Sequence, residues 1–147
     1  MDVFVDTTYL MPFFYLNIDV NGFSREKFRE KLLDFRRIHV SEISIVEVKA
    51  KIVRMHNRKI NEVFRESLSV LRNDEHFVFH GYTADDDTRF EEIGKMNLDF
   101  IDRIIVSQAF SVGFLLTEDS QILKNKNLLK KLGLDVVSWK EFLNFNS

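Results

Sequence analysis

Two segments close together in the chain decide the fold: Asp102-Arg103-Ile104-Ile105-Val106-Ser107-Gln108-Ala109, and then Gly113-Phe114-Leu115-Leu116-Thr117-Glu118-Asp119. Asp99 and Asp102 stand at cap spacing ahead of an apolar run through Ile105, Ala109 and Val112. That pattern predicts a helix, and Gly113 ends it as a C-terminal cap does. Phe114 to Thr117 then reads as a strand that is apolar without alternation, as a strand buried on both faces is. Asp119 lies just past its end. A helix that leads into a buried strand with an acid at its tip is half of a parallel α/β unit.

The same alternation runs outward in both directions. Towards the N-terminus, Val3-Phe4-Val5 is a short β-favouring run that stops at Asp6-Thr7-Thr8. Thr8 to Tyr15 reads as a short helix limited by Pro12, and Ser24 caps a second helix carrying Phe28, Leu32, Leu33 and Phe35. His39 to Ile43 reads as a second strand. A helical region spans Ser44 to Leu71, with Asn57 marking a break. His76 to His80 is a strand, and Thr83 with Asp86 opens another helix. Towards the C-terminus, Leu123 to Leu132 is helical and stops at Gly133, Asp135 to Val137 is a strand, and Ser138-Trp139-Lys140-Glu141 is a capping box. Strands alternating with helices predict an α/β fold with a parallel sheet. No linker or repeat interrupts residues 1–147, so a single domain is expected.

Composition narrows the chemistry. The chain has 147 residues, 45% hydrophobic and 30% charged, and a formal net charge of −2. A chain this long buries roughly 70% of its unfolded surface without a staple. With no cysteine, thiolate metal sites, disulfides and a cysteine nucleophile are excluded. No basic run precedes Val3–Val5 and Asp6 interrupts it, so a signal peptide is not expected. No apolar run is long enough to cross a membrane, and a cytoplasmic protein is expected. Charge is unevenly spread. Lys49 to Arg65 holds six basic residues and one acid, whereas Asp85 to Asp102 holds seven acids and two basic residues. These are either two solvated helix faces or a basic track beside an acid pocket.

Ligands of parallel α/β sheets gather at the carboxyl ends of the strands. Four acids fall at or near such ends: Asp6 after the first strand, Glu47 in the first turn of the helix after the second, Asp102 in the first turn of the helix before the Leu115 strand, and Asp119 after that strand. Carboxylate oxygens suit Mg²⁺ or Mn²⁺, and acids held close together repel unless a cation neutralises them. A bound cation lowers the pKa of its water and stabilises charge on a phosphate. Thr8 and Thr117 are candidates to support the carboxylates. Asp99 is read first as a helix cap and otherwise as a fifth acid. The run Asp85-Asp86-Asp87 reads as a solvated first turn, because consecutive helical residues point in different directions. Glu92 and Glu118 read as surface residues, and the four histidines show no ligand spacing. The Phe-rich pattern reads as core.

With these segments in place, the chain resembles the PIN-domain ribonucleases over nearly its whole length. Phe4-Val5-Asp6-Thr7-Thr8, Ser44-Ile45-Val46-Glu47, the Asp102 to Asp119 block and Glu141-Phe142-Leu143 follow the family's order. Arg103, Ser107 and Gln108 depart from the usual small or apolar residues. The resemblance implies a doubly wound three-layer sandwich with four or five parallel strands. It also implies one or two Mg²⁺ or Mn²⁺ ions held by Asp6, Glu47, Asp102 and Asp119, and cleavage of single-stranded RNA. Lys49, Lys51 and Arg54 are then candidate phosphate contacts. Single-domain members include toxins, so an antitoxin partner and a homodimer are further expectations. A PIN fold that binds RNA or acts as a scaffold without cleaving is the alternative. A receiver-like domain fits poorly, because Lys140 lies at a helix start rather than near the end of the last strand.

Overall fold

The computed structural model describes residues 1–146. Its centre is a sheet of five parallel strands: β1 (Val3–Val5), β2 (Ile38–Ser41), β3 (Phe77–His80), β4 (Phe114–Leu116) and β5 (Asp135–Val137), in the spatial order β3-β2-β1-β4-β5. The chain winds outward from β1 to β3, returns, and winds outward the other way through β4 and β5. The winding reverses between β1 and β4, and the crevice outside their carboxyl ends is where such folds bind ligands.

Side-chain alternation divides the interior in two. Val3, Val5, Ile38, Val40, Phe114, Leu116 and Val137 face one core, with Tyr9, Phe14, Phe28, Phe35, Val48, Ile52, Phe64, Trp139 and Phe142. Phe4, Leu115 and Val136 face the other, with Ile93, Met96, Ile105, Val106, Ala109, Ile122 and Leu129. Helices cover both faces, giving the three layers of a doubly wound α/β fold. The abundant phenylalanines mostly fill the first core, where Phe14 stacks on Phe64 at 4.7 Å and Phe35 on Phe142 at 5.4 Å.

Local signals set most element ends. Ser24 caps α2 (Arg25–Leu32) by accepting the Lys27 amide, and Asn57 caps α4 (Arg58–Arg72) by accepting the Ile60 amide. Capping boxes open α5 (Ala84–Glu92) at Thr83/Asp86 and α9 (Trp139–Leu143) at Ser138/Glu141.

Several bounds differ from the sequence reading. Pro12 splits the first helical segment into α1 (Thr7–Leu10) and a 3-10 turn at Met11–Phe14, since it supplies no amide for an α-turn. The second strand runs from Ile38 to Ser41 rather than from His39 to Ile43. The Ser41 hydroxyl accepts the Ile43 amide at 3.2 Å and starts α3 (Glu42–Met55) early, so Glu47 lies in its second turn and not its first. The expected Leu123–Leu132 helix is two pieces, α7 (Ser120–Lys124) and α8 (Lys126–Leu132), divided at Asn125. Helix α6 (Phe100–Ala109) stops short of Val112, and Gly113 takes a positive φ of 85° in the turn to β4. Asp86 is buried within its capping box, not solvated.

The residues that depart from the family pattern tie α6 down. The Arg103 guanidinium lies 3.7 Å from the Phe90 ring centroid and its Nε donates to the Phe90 carbonyl at 2.8 Å. Gly94 leaves it room, because a Cβ there would stand 2.7 Å from Arg103 Nη2. The buried Ser107 hydroxyl donates to the Arg103 carbonyl, and the buried Gln108 amide donates to the His80 carbonyl at 3.3 Å. Among the described residues no helix is long and apolar enough to cross a membrane.

Candidate functional site

Asp6 ends β1 and caps α1. One of its oxygens, Oδ1, accepts the Thr7 amide at 2.7 Å, and the other, Oδ2, accepts the Thr117 hydroxyl at 2.6 Å. Thr117 follows β4, and its Oγ1 accepts the Asp119 amide at 3.0 Å. One buried hydroxyl therefore joins the ends of β1 and β4 at the point where the winding reverses. Burial pushes the Asp6 carboxyl up to about 6; the Thr117 and Thr7 hydrogen bonds oppose the rise, and the charges of Asp119 and Glu47 add to it.

Asp119 caps α7. Its Oδ1 accepts the amides of Gln121 at 3.0 Å and Ile122 at 2.9 Å, and Oδ2 accepts no hydrogen bond among the described residues. A cap of this kind holds the carboxylate still while leaving an oxygen for a ligand. Glu47 reaches in from α3, where its Oε1 lies 2.5 Å from the Thr7 hydroxyl, which is also 2.8 Å from Ser44 Oγ. Thr7 has a single hydroxyl proton, so it donates to the carboxylate and accepts from Ser44. Asp102 lies in the first turn of α6. Burial raises its carboxyl to about 7, and Asp119, Asp6, Asp99 and Glu47 each add to the rise, in that order of size.

These mutual repulsions place all four acids, with Asp99, in one electrostatic neighbourhood. Asp99 sits at the cap position of α6, yet its side chain makes no capping bond and is exposed. Asp99 is thus the N-cap residue it was read as, through its carbonyl, which accepts the Arg103 amide at 2.8 Å, while its carboxylate is left without a capping bond. Thr8 makes no hydrogen bond among the described residues, and Thr7, supported by Ser44, holds Glu47 in its place. The sequence offered both threonines after Asp6 with no signal for which one turns inward; that depends on the start of α1. Lys49 is turned away from the acids. Its ammonium donates to Asn61 at 2.9 Å and lies 5.2 Å from the Phe64 ring, bracing α3 on α4. Lys51 and Arg54 are exposed on α3. Glu118, read as a surface residue, is half-buried. It accepts the Trp139 amide at 3.1 Å, and its charge adds to burial in raising the Tyr9 phenol.

The donor set is all oxygen, as Mg²⁺ and Mn²⁺ prefer. Among the described residues no three acids converge closely enough to enclose an ion by themselves. The residues fit a hydrated divalent ion held by a few carboxylates and by water, which is how Mg²⁺ is commonly bound. Charge provides the second indication. Asp102 ionises against four neighbouring acids, and a cation among them relieves that repulsion.

Comparison with known proteins identifies the family and the fold. The family model described as PIN domain matches residues 3–128. Among solved structures, the chain is similar to the crystal structure of VapBC2 from Rickettsia felis bound to a DNA fragment from their promoter. The TM-score is 0.65 at 15% identity, covering 95% of this chain and 99% of that one. Among curated proteins there is no significant match.

Proposed function

The chain belongs to the PIN-domain family, and on that premise we propose that it is a Mg²⁺- or Mn²⁺-dependent endoribonuclease that cuts single-stranded RNA. What supports the reading is that Thr117 links Asp6 to Asp119, that Thr7 links Asp6 to Glu47, and that Asp102, from a fourth stretch of chain, lies near enough for the charges of the other three to act on it. A purely structural role gives no reason to gather acids that repel one another.

A divalent ion held here would lower the pKa of an attacking water and neutralise charge on the scissile phosphate. The protein's own part is to fix the oxygens. Thr117 sets Asp6, the α7 amides set Asp119, and Thr7 with Ser44 sets Glu47. Asp102 and the free oxygen of Asp119 would hold the ion directly or through water, with exposed Asp99 near them. Lys51 and Arg54 follow Glu47 along α3 and suit substrate phosphates.

A toxin of a toxin–antitoxin pair, working in the cytoplasm, is the biological setting we propose. One fold neighbour is a VapBC2 assembly, and a single domain of this size suits such a toxin. An open apolar groove of about 810 Å³ lies between α2 and α4, lined in part by Phe13, Leu33 and Val70. It offers surface to an antitoxin or to a second copy in a homodimer.

The test is cleavage of labelled single-stranded RNA with Mg²⁺ or Mn²⁺ and with chelator. Asp6→Asn and Asp102→Asn should each lower the rate by more than about 100-fold, beyond what supporting residues contribute. Metal-dependent cutting that survives both substitutions sinks the assignment. Tight RNA binding without cutting under any condition supports the non-cleaving alternative instead.

A further inference from the structure

Two residues before Asp102 in the chain, Phe100 at the start of α6 joins Tyr82 and Phe90 in an aromatic surface that the proposed chemistry does not use. Phe100 is 67% exposed and Tyr82 is 48% exposed. Phe100 lies between Asp99 and Asp102 in the first turn of α6. Its ring packs across Phe90 at 5.8 Å and 74°, and the Tyr82 ring packs across Phe90 at 6.2 Å and 90°. Phe90 is itself clamped by Arg103, and the Tyr82 hydroxyl donates to Asp87 at 2.7 Å. The rings are thus held in place while Phe100 stays largely in solvent, so little side-chain freedom is left to lose on binding.

The surrounding charge selects the occupant. Asp87, Glu91 and Asp99 flank these rings, and the Arg103 guanidinium is packed on Phe90 with the Glu91 carboxylate 4.0 Å away. A phosphate is disfavoured there and a neutral flat group is favoured. On α3, exposed Lys51 and Arg54 stand one and two turns beyond Glu47, on the same side of the helix. A strand lying between α3 and α6 would keep its phosphates towards the first and turn its bases towards the second.

We infer that Phe100, backed by Phe90 and Tyr82, is a stacking platform for one unpaired RNA base beside the scissile phosphate, and so a residue that determines substrate preference. This rests on the ribonuclease reading above. Base–aromatic stacking tolerates any base but requires one to be present and unpaired.

The test is an abasic scan. Binding of a short single-stranded RNA, intact or with one nucleotide at a time made abasic, is measured in the Asp102→Asn background. A single position should stand out, with binding weakened about five- to tenfold, the lower end of what stacking one base contributes. Phe100→Ala should weaken the intact RNA by the same factor and lose sensitivity at that position, and Phe100→Tyr should restore both. The platform is overturned by a flat scan, by no binding at all, or by sensitivity that persists in Phe100→Ala. It is also overturned if Phe100→Ala spares RNA binding but converts a dimer to a monomer in sedimentation, which would make this face a contact between copies. Cleavage by the unsubstituted chain with Mn²⁺ is scored separately. RNA bound with the single-position signature but never cut overturns the nuclease reading alone, and RNA cut without the signature overturns the platform alone.

Discussion

Asp6 has no lone role at the end of β1. Each of its oxygens accepts one hydrogen bond, and one of these comes from Thr117 at the tip of a different strand. A buried carboxyl with this many fixed partners is held in one orientation. Thr7 does the same for Glu47 from the opposite side. Replacing Thr7 by Val keeps the shape and removes the hydroxyl, so the expected outcome is a fall in kcat/KM of about 10- to 100-fold with thermal stability nearly unchanged. Thr8→Val should leave kcat/KM within about twofold, since Thr8 bonds to nothing in the site. Equal losses in the two variants would show that Thr7 does not orient Glu47. Thr7 and Thr8 cannot be told apart as residue types. Only the pitch of α1 turns one of them inward.

Among the elements, three strands are joined by a chain of buried polar groups. Asp2 at the start of β1 accepts from His39 Nε2 at 2.8 Å, and His39 Nδ1 lies 2.7 Å from His80 Nε2 on β3. Arg36 holds Asp2 from outside at 3.1 Å. Burial lowers the His80 imidazole below its usual value of 6.5, and nearby His39 lowers it further, while Asp86 acts the other way. The folded protein therefore takes up this proton less readily than the unfolded chain. The stability that neutral His80 contributes is present above about pH 6.5 and is lost as pH falls through and below it. Thermal melts of His80→Gln should show a gap from the parent chain that narrows between neutral pH and about pH 5.5. A gap independent of pH would mean that His80 does not titrate in this range. Sequence showed four histidines without ligand spacing; their pairing arises because β2 lies between β1 and β3, with His39 and Val78 in register.

At the scale of the whole molecule, the acid pocket opposes folding when no cation is present. Asp6 and Asp102 ionise near 6 and 7 in the fold, against 3.8 for an ordinary Asp. Between those values the folded chain keeps protons that the unfolded chain has released. The stability linked to these protons is complete below about pH 4 and declines as pH rises through about 7, opposite in sign to the His80 trend. Mg²⁺ or Mn²⁺ should raise the melting temperature more at pH near 8 than at pH near 5, and chelator at the higher pH should reverse the gain. An equal shift at both pH values would separate metal binding from these two carboxyls. The melting temperature of Asp102→Asn should depend less on pH and respond less to metal.

The sequence by itself determined the order of strands and helices and the parallel sheet, and it singled out four acids as candidates, because each reading rests on local chemistry. A continuous apolar run marks a strand buried on both faces, Ser24, Asn57 and Thr83 cap their helices, and an acid after a strand falls at its carboxyl end. Tertiary structure decided what those local signals leave open. It set the strand order β3-β2-β1-β4-β5, and thereby which strand ends meet. It turned Thr7 inward, left the Asp99 carboxylate without a capping bond, withdrew Lys49 to Asn61 and half-buried Glu118, which accepts the Trp139 amide. It also put Arg103 into the space above Gly94, where the residue type alone suggested only a departure from pattern. In each case the outcome depends on contacts between residues far apart in the chain, and periodicity carries no information about those.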